Sequence, residues 1–187
     1  VAKYYDNRPD YSKGCINAIL DIASPFTCCD MGAGTGKLAI PISQQGVKVT
    51  AVEPNHNMSY YGMPKSSSVI WVNASAEKTG LPANYYDLVT FGSSLNVTDH
   101  TKSLPEARRL LQPEGWVAVL FNHRDLNDPL QEQIENIVKW HIYRFDKGTR
   151  NQDQTKFLKD YFKDIIKLEQ RFVVKQTKEE CLNAWSS

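Results

Sequence analysis

A chain of 187 residues, 41% hydrophobic and 23% charged, carries enough apolar side chain for one domain with a sizeable core. Its formal net charge of +1 excludes bulk electrostatic attraction to nucleic acid or another polyanion. No stretch is long and apolar enough to span a membrane, and the four cysteines (Cys15, Cys28, Cys29, Cys181) have no metal-ligand spacing, so buried reduced thiols and a cytoplasmic chain are expected.

In chain order, Ile16, Ile19, Leu20 and Ala23 recur at helical spacing and predict a helix over 12–23, with Ser12 as its cap. A strand at 26–30 places the adjacent Cys28 and Cys29 on opposite faces. A glycine-rich turn follows, then a helix over 36–45 ended by Gly46. The β-branched alternation from Val47 to Val52 predicts a strand ending at Glu53. A short helix over 55–62 and strands at 69–72 and 86–91 come next. A helix over 101–111 is closed by Pro113, with Gly115 supplying the turn into an apolar strand at 116–121. Five alternations of strand and helix predict a doubly wound, mostly parallel sheet with helices on both faces. Beyond Asn122 the expectation is helices over 129–143 and 153–164, a sixth strand over 165–175 and a last helix over 178–185.

The run Cys29-Asp30-Met31-Gly32-Ala33-Gly34-Thr35-Gly36-Lys37 lies between a strand and a helix, which is the layout of a nucleotide-binding turn. Three ligand chemistries compete for it. A phosphate-binding P-loop fails at two positions, because its first glycine falls on Met31 and its hydroxyl residue on Leu38. A dinucleotide fingerprint finds Gly32 and Gly34, but its third glycine falls on Lys37, and Asp30 sets a negative charge beside the pyrophosphate. A ligand without phosphate and with positive groups suits the acids better.

The stretch from Asp30 to Gly36 resembles the first motif of class I S-adenosylmethionine-dependent methyltransferases. Ala51-Val52-Glu53-Pro54-Asn55 followed by Met58 resembles the second motif of the small-molecule, type 11-like branch. Ala74-Ser75-Ala76-Glu77 with Gly80-Leu81-Pro82 is similar to the third, with Ser75 where an Asp is usual. Tyr86 to Phe91, and the helix and turn around Glu106, Arg109, Pro113 and Gly115, match further segments. Tyr5, Arg8, Pro9 and Tyr11 resemble an N-terminal element that caps the cofactor. The resemblance runs from about Tyr4 to Asn122.

The resemblance implies S-adenosyl-L-methionine as cofactor. It implies a cofactor site of Asp30, Gly32, Ala33, Gly34, Gly36, Glu53, Pro54, Met58, Ser75, Ala76, Phe91, Gly92, Tyr5 and Arg8. Within it Glu53 accepts the ribose hydroxyls, Pro54 and Met58 pack against adenosine, and Ser75 meets the adenine amino group. It also implies a continuation after the sixth strand, a helix and a seventh antiparallel strand, for which too few residues follow; the C-terminal part reads as incomplete.

Methyl transfer needs alignment of donor and acceptor, shielding from water and, for a hydroxyl acceptor, a base. Residues at the carboxyl ends of strands four and five are placed for this. His123 is the first candidate base, with Asp125 or Asp99 to orient it, and His100 the second. Leu95-Asn96 stands where relatives often carry His-Trp, so their acceptor contacts do not transfer. Aromatics from Trp140 to Phe162 offer an apolar acceptor pocket, and residues 144–154 read as a mobile loop. No metal site is expected.

The chain therefore reads as a single methyltransferase domain over 1–187, with a cofactor core over 1–122 and an acceptor-side lid and sixth strand over 123–187. The expected activity is S-adenosylmethionine-dependent methylation of a small molecule, at oxygen and in secondary metabolism. The alternatives are N- or C-methylation on the same fold, or a cofactor-binding scaffold without catalysis. No nucleic-acid or membrane partner is expected.

Overall fold

The computed structural model describes residues 2–141 and 153–185. Helices α1 (Ala2–Tyr5) and α2 (Lys13–Ala23) lead into strand β1 (Thr27–Met31) and helix α3 (Ala39–Ser43). Strand β2 (Lys48–Val52), helix α4 (His56–Gly62) and strand β3 (Val69–Val72) form the next unit. Strand β4 (Tyr86–Gly92), helix α5 (His100–Leu110) and strand β5 (Leu111–Leu120) complete the sheet, and α6 (Pro129–His141), α7 (Thr155–Leu158) and α8 (Lys178–Trp185) follow. The five strands lie in the order β3-β2-β1-β4-β5, with every neighbouring pair parallel. The order reverses between β1 and β4, and in such sheets ligands bind outside the carboxyl ends of the strands at that reversal.

Each sheet face has its own apolar layer. Cys28, Val49, Ala51 and Leu88 face Ile16 of α2 and Ala39 and Ile42 of α3. Cys29, Met31, Val89 and Phe91 face Leu104, Ala107 and Leu110 of α5. The adjacent cysteines do point to opposite faces, both fully buried and unpaired, and burial pushes both thiols well above their ordinary range. Two carboxylates stitch the layers. Asp87 Oδ2 accepts the N–H groups of Phe26 and Thr27 at 2.9 and 2.8 Å and the Thr27 hydroxyl at 2.9 Å, which fixes where β1 starts against β4. Glu106 accepts the Thr79 N–H at 3.0 Å and pairs with Arg109 at 2.7 Å, anchoring the loop before β4 to α5.

Several expected boundaries move, each for a local reason. The helix after the glycine turn shrinks to Ala39–Ser43, since Pro41 has no N–H to bond Lys37 and Gly46, at φ 88°, ends the turn. The turn at 112–115 is a bulge inside β5: register passes from Tyr86↔Leu111 to Leu88↔Trp116. Glu114, not Gly115, takes the left-handed backbone, at φ 34°. Gly115 is small because a Cβ there would meet Leu111 Cδ2 at 2.9 Å.

The second half departs further. The helix expected over 153–164 is the single turn α7. The sixth strand expected over 165–175 is absent, and those residues carry no ladder. Side chains draw this segment to the N-terminal part of the chain instead: Gln170 bonds the Ser12 hydroxyl, and Gln176 donates to the Asn7 carbonyl at 2.6 Å. The expected apolar pocket is also not assembled from the described aromatics. Trp140 is 86% exposed, while Phe157, Tyr161 and Phe162 pack on the α5 side of the core. Tyr143, Phe145 and residues 144–152 of the expected mobile loop lie outside the described residues.

Candidate cofactor site

The carboxyl ends of β1, β2 and β4 meet at the glycine turn. Gly32, Gly34 and Gly36 have φ of 74°, 60° and 83°, a region that side chains with a Cβ rarely adopt. Gly32 also needs its missing Cβ for space, since one there would stand 2.6 Å from Ser94 Cβ. That close approach lets the Ser94 hydroxyl donate to the Met31 carbonyl at 2.6 Å, joining the ends of β1 and β4. The N–H groups of Gly32 and Ala33 both donate to Val52 O, at 2.8 and 3.0 Å, joining β1 to β2. Gly34 faces the open side. Its nearest neighbours are Met58 Cε, 3.4 Å from where a Cβ would stand, and the Tyr5 ring at 3.7 Å.

Glu53 ends β2 and lies almost buried, at 7% exposure. Its Oε2 accepts the Gly34 N–H and its Oε1 the Asn55 N–H, both at 2.8 Å. One carboxylate therefore holds the glycine turn and the N-terminus of α4 at once. Each oxygen keeps a further acceptor site for a ligand hydroxyl.

Asp30 sits one layer below the turn, at 1% exposure. Its Oδ1 accepts the Thr90 hydroxyl at 2.7 Å, and the backbone at Ala39, in the first turn of α3, also bonds it. Its Oδ2 is buried with no protein partner. Burial pushes this carboxyl up to about 7, against the hydrogen bonds, and the nearby Glu53 pushes the same way.

Lys37, the basic residue of the turn, is withdrawn from it. Its ammonium pairs with Asp10 at 2.6 Å and donates to the Asp6 carbonyl at 3.0 Å. The Thr35 hydroxyl donates to Asp6 Oδ1 at 3.0 Å. These carboxylates escape a sequence reading because each lies roughly thirty residues from its partner, with no local spacing to reveal it.

Of the expected site residues, the structure brings Tyr5, Gly32, Ala33, Gly34, Glu53 and Met58 together. Arg8 stacks on Tyr5, its guanidinium 4.7 Å from the ring centre. Pro54 is exposed beside Glu53. Gly36 packs toward Ile40 and Trp71 rather than the open side. Ser75 follows β3, and its hydroxyl bonds Glu77, whose carboxylate also accepts the Asp99 N–H at 3.0 Å. Ala76 is buried at 4% exposure and Phe91 fully, both in the α5-side core, so their side chains are structural. Gly92 abuts the Tyr11 hydroxyl, which donates to Ser93 at 3.0 Å.

The catalytic candidates are dispersed. His123 is exposed past the end of β5, its ring 6.0 Å from that of Phe121. Asp125 faces Arg171 at 3.5 Å and accepts the Asn127 N–H, and neither contact orients His123. Asp99 caps α5 and pairs with Lys102 at 2.9 Å. His100 packs on Phe157 at 4.3 Å between ring centres, with Nδ1 buried and without a hydrogen bond. Among the described residues, no group of His, Cys, Asp and Glu is placed to hold a metal ion.

Residues 29–119 match the family model of a methyltransferase domain. This stretch, just under half of the chain, is similar to a methyltransferase domain. The chain is 30% identical over 125 residues to an uncharacterized methyltransferase of Mycobacterium tuberculosis, covering 67% of this chain and 51% of that protein. It is 34% identical over 113 residues to a ubiquinone/menaquinone biosynthesis C-methyltransferase of Psychromonas ingrahamii, covering 55% of this chain and 45% of that one. Thus the chain spans about half the length of these relatives. Among solved structures, the CcbJ methyltransferase of Streptomyces caelestis aligns with a TM-score of 0.54 at 24% identity, over 63% of this chain and 54% of that one, a likeness of fold. The matched residues thus coincide with the sheet and the glycine turn, and the described helices include none long and apolar enough to cross a membrane.

Proposed function

We propose that this domain transfers the methyl group of S-adenosylmethionine to a small-molecule acceptor. When bound, that cofactor supplies a methyl already activated on a sulfonium, so the protein's tasks are alignment and exclusion of water. The observation that carries the reading is the charge arrangement at the turn. Glu53 accepts the Gly34 N–H at 2.8 Å, Asp30 keeps a buried oxygen without a protein partner, and the ammonium of Lys37 is taken by Asp10. A site so arranged favours a ligand with hydroxyls and positive groups and offers nothing to a pyrophosphate.

In this reading Gly34 presents an open backbone face to the nucleoside, and Met58 and Tyr5 close over it. Glu53 accepts the ribose hydroxyls while keeping its two backbone bonds. The Ser75 hydroxyl, its proton directed at Glu77, turns its lone pairs to the adenine amino group. Arg8 holds the Tyr5 ring in place. Asp30 acts from below, fixing the turn through Thr90 and α3. The remaining members, Gly32, Ala33, Gly36, Pro54, Ala76, Phe91 and Gly92, shape the site through backbone and packing. Cofactor core and acceptor side divide near Asn122, and the whole is a single domain.

For the acceptor atom, oxygen is the first reading, with His123 as base and His100 behind it, in a tailoring step of secondary metabolism. Carbon is the second, favoured because a relative 34% identical is a quinone-pathway C-methyltransferase. Calorimetry with S-adenosylhomocysteine and with a nicotinamide dinucleotide tests the cofactor: the first binds and the second does not. Methyl-labelled donor and an acceptor panel test the atom, since carbon NMR of the product distinguishes a methoxy carbon from a C-methyl. His123→Ala is expected to lower turnover about tenfold or more with cofactor affinity intact; unchanged turnover removes His123 as base.

A further inference from the structure

We infer that residues 2–12 are a polar latch over the glycine turn, fastened by Asp6 and Asp10, that sets how fast a nucleoside ligand enters and leaves. The inference rests on reading the turn as a cofactor site.

The segment crosses the open side of the turn, and its apolar attachment to the core is at its far end, where Tyr11 packs against the layer of α2 and α3. Helix α1 buries none of its residues. Its Tyr5 ring is nonetheless the nearest group to Gly34 apart from Met58, so a nucleoside on that backbone lies beneath the segment. Ahead of Tyr11 it is held by charge and hydrogen bonding from separate elements. Asp6 Oδ1 accepts from Thr35 within the turn at 3.0 Å and from Lys65, beyond α4, at 2.5 Å. Lys37 holds the Asp6 carbonyl and the Asp10 carboxylate. Asn122, past the end of β5, donates to the Asp10 carbonyl at 3.0 Å.

The placement matters more than the number of bonds. Thr35 and Lys37 flank Gly36, so two fasteners sit on the turn that would hold the ligand. Lys65 and Asn122 lie on either side of the site, beyond α4 and β5. Releasing the Asp6 carboxylate therefore loosens the segment carrying Tyr5, which Lys37, Asn122 and Gln176 still hold, while leaving Glu53 and its backbone bonds untouched. The Lys65–Asp6 pair is partly open to solvent, with side chains 37% and 41% exposed, so dissolved salt screens it. A core-packed lid lacks that sensitivity.

The test is stopped-flow dissociation of S-adenosylhomocysteine from the full chain, with amide hydrogen exchange on the ligand-free protein. Asp6→Asn and Lys65→Met are each expected to raise the dissociation rate about fivefold or more, and Lys65→Arg to restore it. High salt is expected to speed release from wild type and to have less effect on either variant. Exchange at residues 2–12 is expected to quicken in the same variants and to leave β1 and β2 unchanged. Ligand that binds but leaves at the same rate in every variant overturns the latch. If wild type binds no S-adenosylhomocysteine, the cofactor reading fails. Exchange then decides the latch alone: quickening confined to 2–12 supports the fastening, and no change overturns it.

Discussion

At the scale of single residues, two carboxylates that look alike in the sequence do different work. Glu53 touches the face where ligand chemistry is expected, whereas Asp30 supports the turn from beneath. Asp30 also makes stability depend on pH. Its folded pKa of about 7 lies above the ordinary Asp value of 3.8. Between these values the unfolded chain has lost a proton that the folded chain keeps, so stability falls as pH rises, by up to about 1.4 kcal/mol per pH unit, and levels off above the folded value. Asp30→Asn keeps an acceptor for Thr90 without the titration. We expect urea unfolding from pH 4 to 8 to show that fall in wild type and a flatter profile in the variant. Gly32→Ala is a second residue-scale case: its Cβ meets Ser94 at 2.6 Å on a backbone of φ 74°, and a loss of about 2 kcal/mol or more is expected by the same measurement.

At the scale of elements, legibility followed the range of the forces. The strands from Thr27 to Phe91 and helices α2, α4 and α5 declare themselves through periodicity; Ser12 caps α2 as expected, and the structure adds Asn55 and Asp99 as caps of the other two. The bulge in β5 hid behind Pro113 and Gly115, which mark a turn equally well. The segment 165–175 alternates like a strand, yet Gln170 and Gln176 tie it to Ser12 and Asn7, and no periodicity reports a contact over that separation. Asp87 tests how elements are joined. Its three hydrogen bonds hold its carboxyl below the usual range, despite desolvation. Asp87→Ala leaves the Phe26 and Thr27 N–H groups without their acceptor, and a loss of about 1–3 kcal/mol is expected by denaturant unfolding. A depressed acid contributes stability above its unfolded pKa and loses it as pH falls through the folded value. The difference between wild type and variant is therefore expected to shrink in acid.

At the scale of the whole molecule, the carboxyl ends of β1, β2 and β4 converge where strand order reverses, and the glycine turn, Glu53 and the N-terminal segment meet there. The glycine turn and Glu53 were legible because a motif of few residues carries them. The polar fastening was not, since Asp6, Thr35 and Lys65 make no local pattern. Nor was the exposure of His123, because a histidine at a strand end reads alike whether it faces a cleft or solvent. Calorimetric titration of S-adenosylhomocysteine into wild type and Glu53→Ala decides whether the turn and Glu53 hold this cofactor. Wild type is expected to bind, and the variant to bind at least about tenfold more weakly, about 1.4 kcal/mol. No binding to wild type, or equal affinity in both, would contradict it.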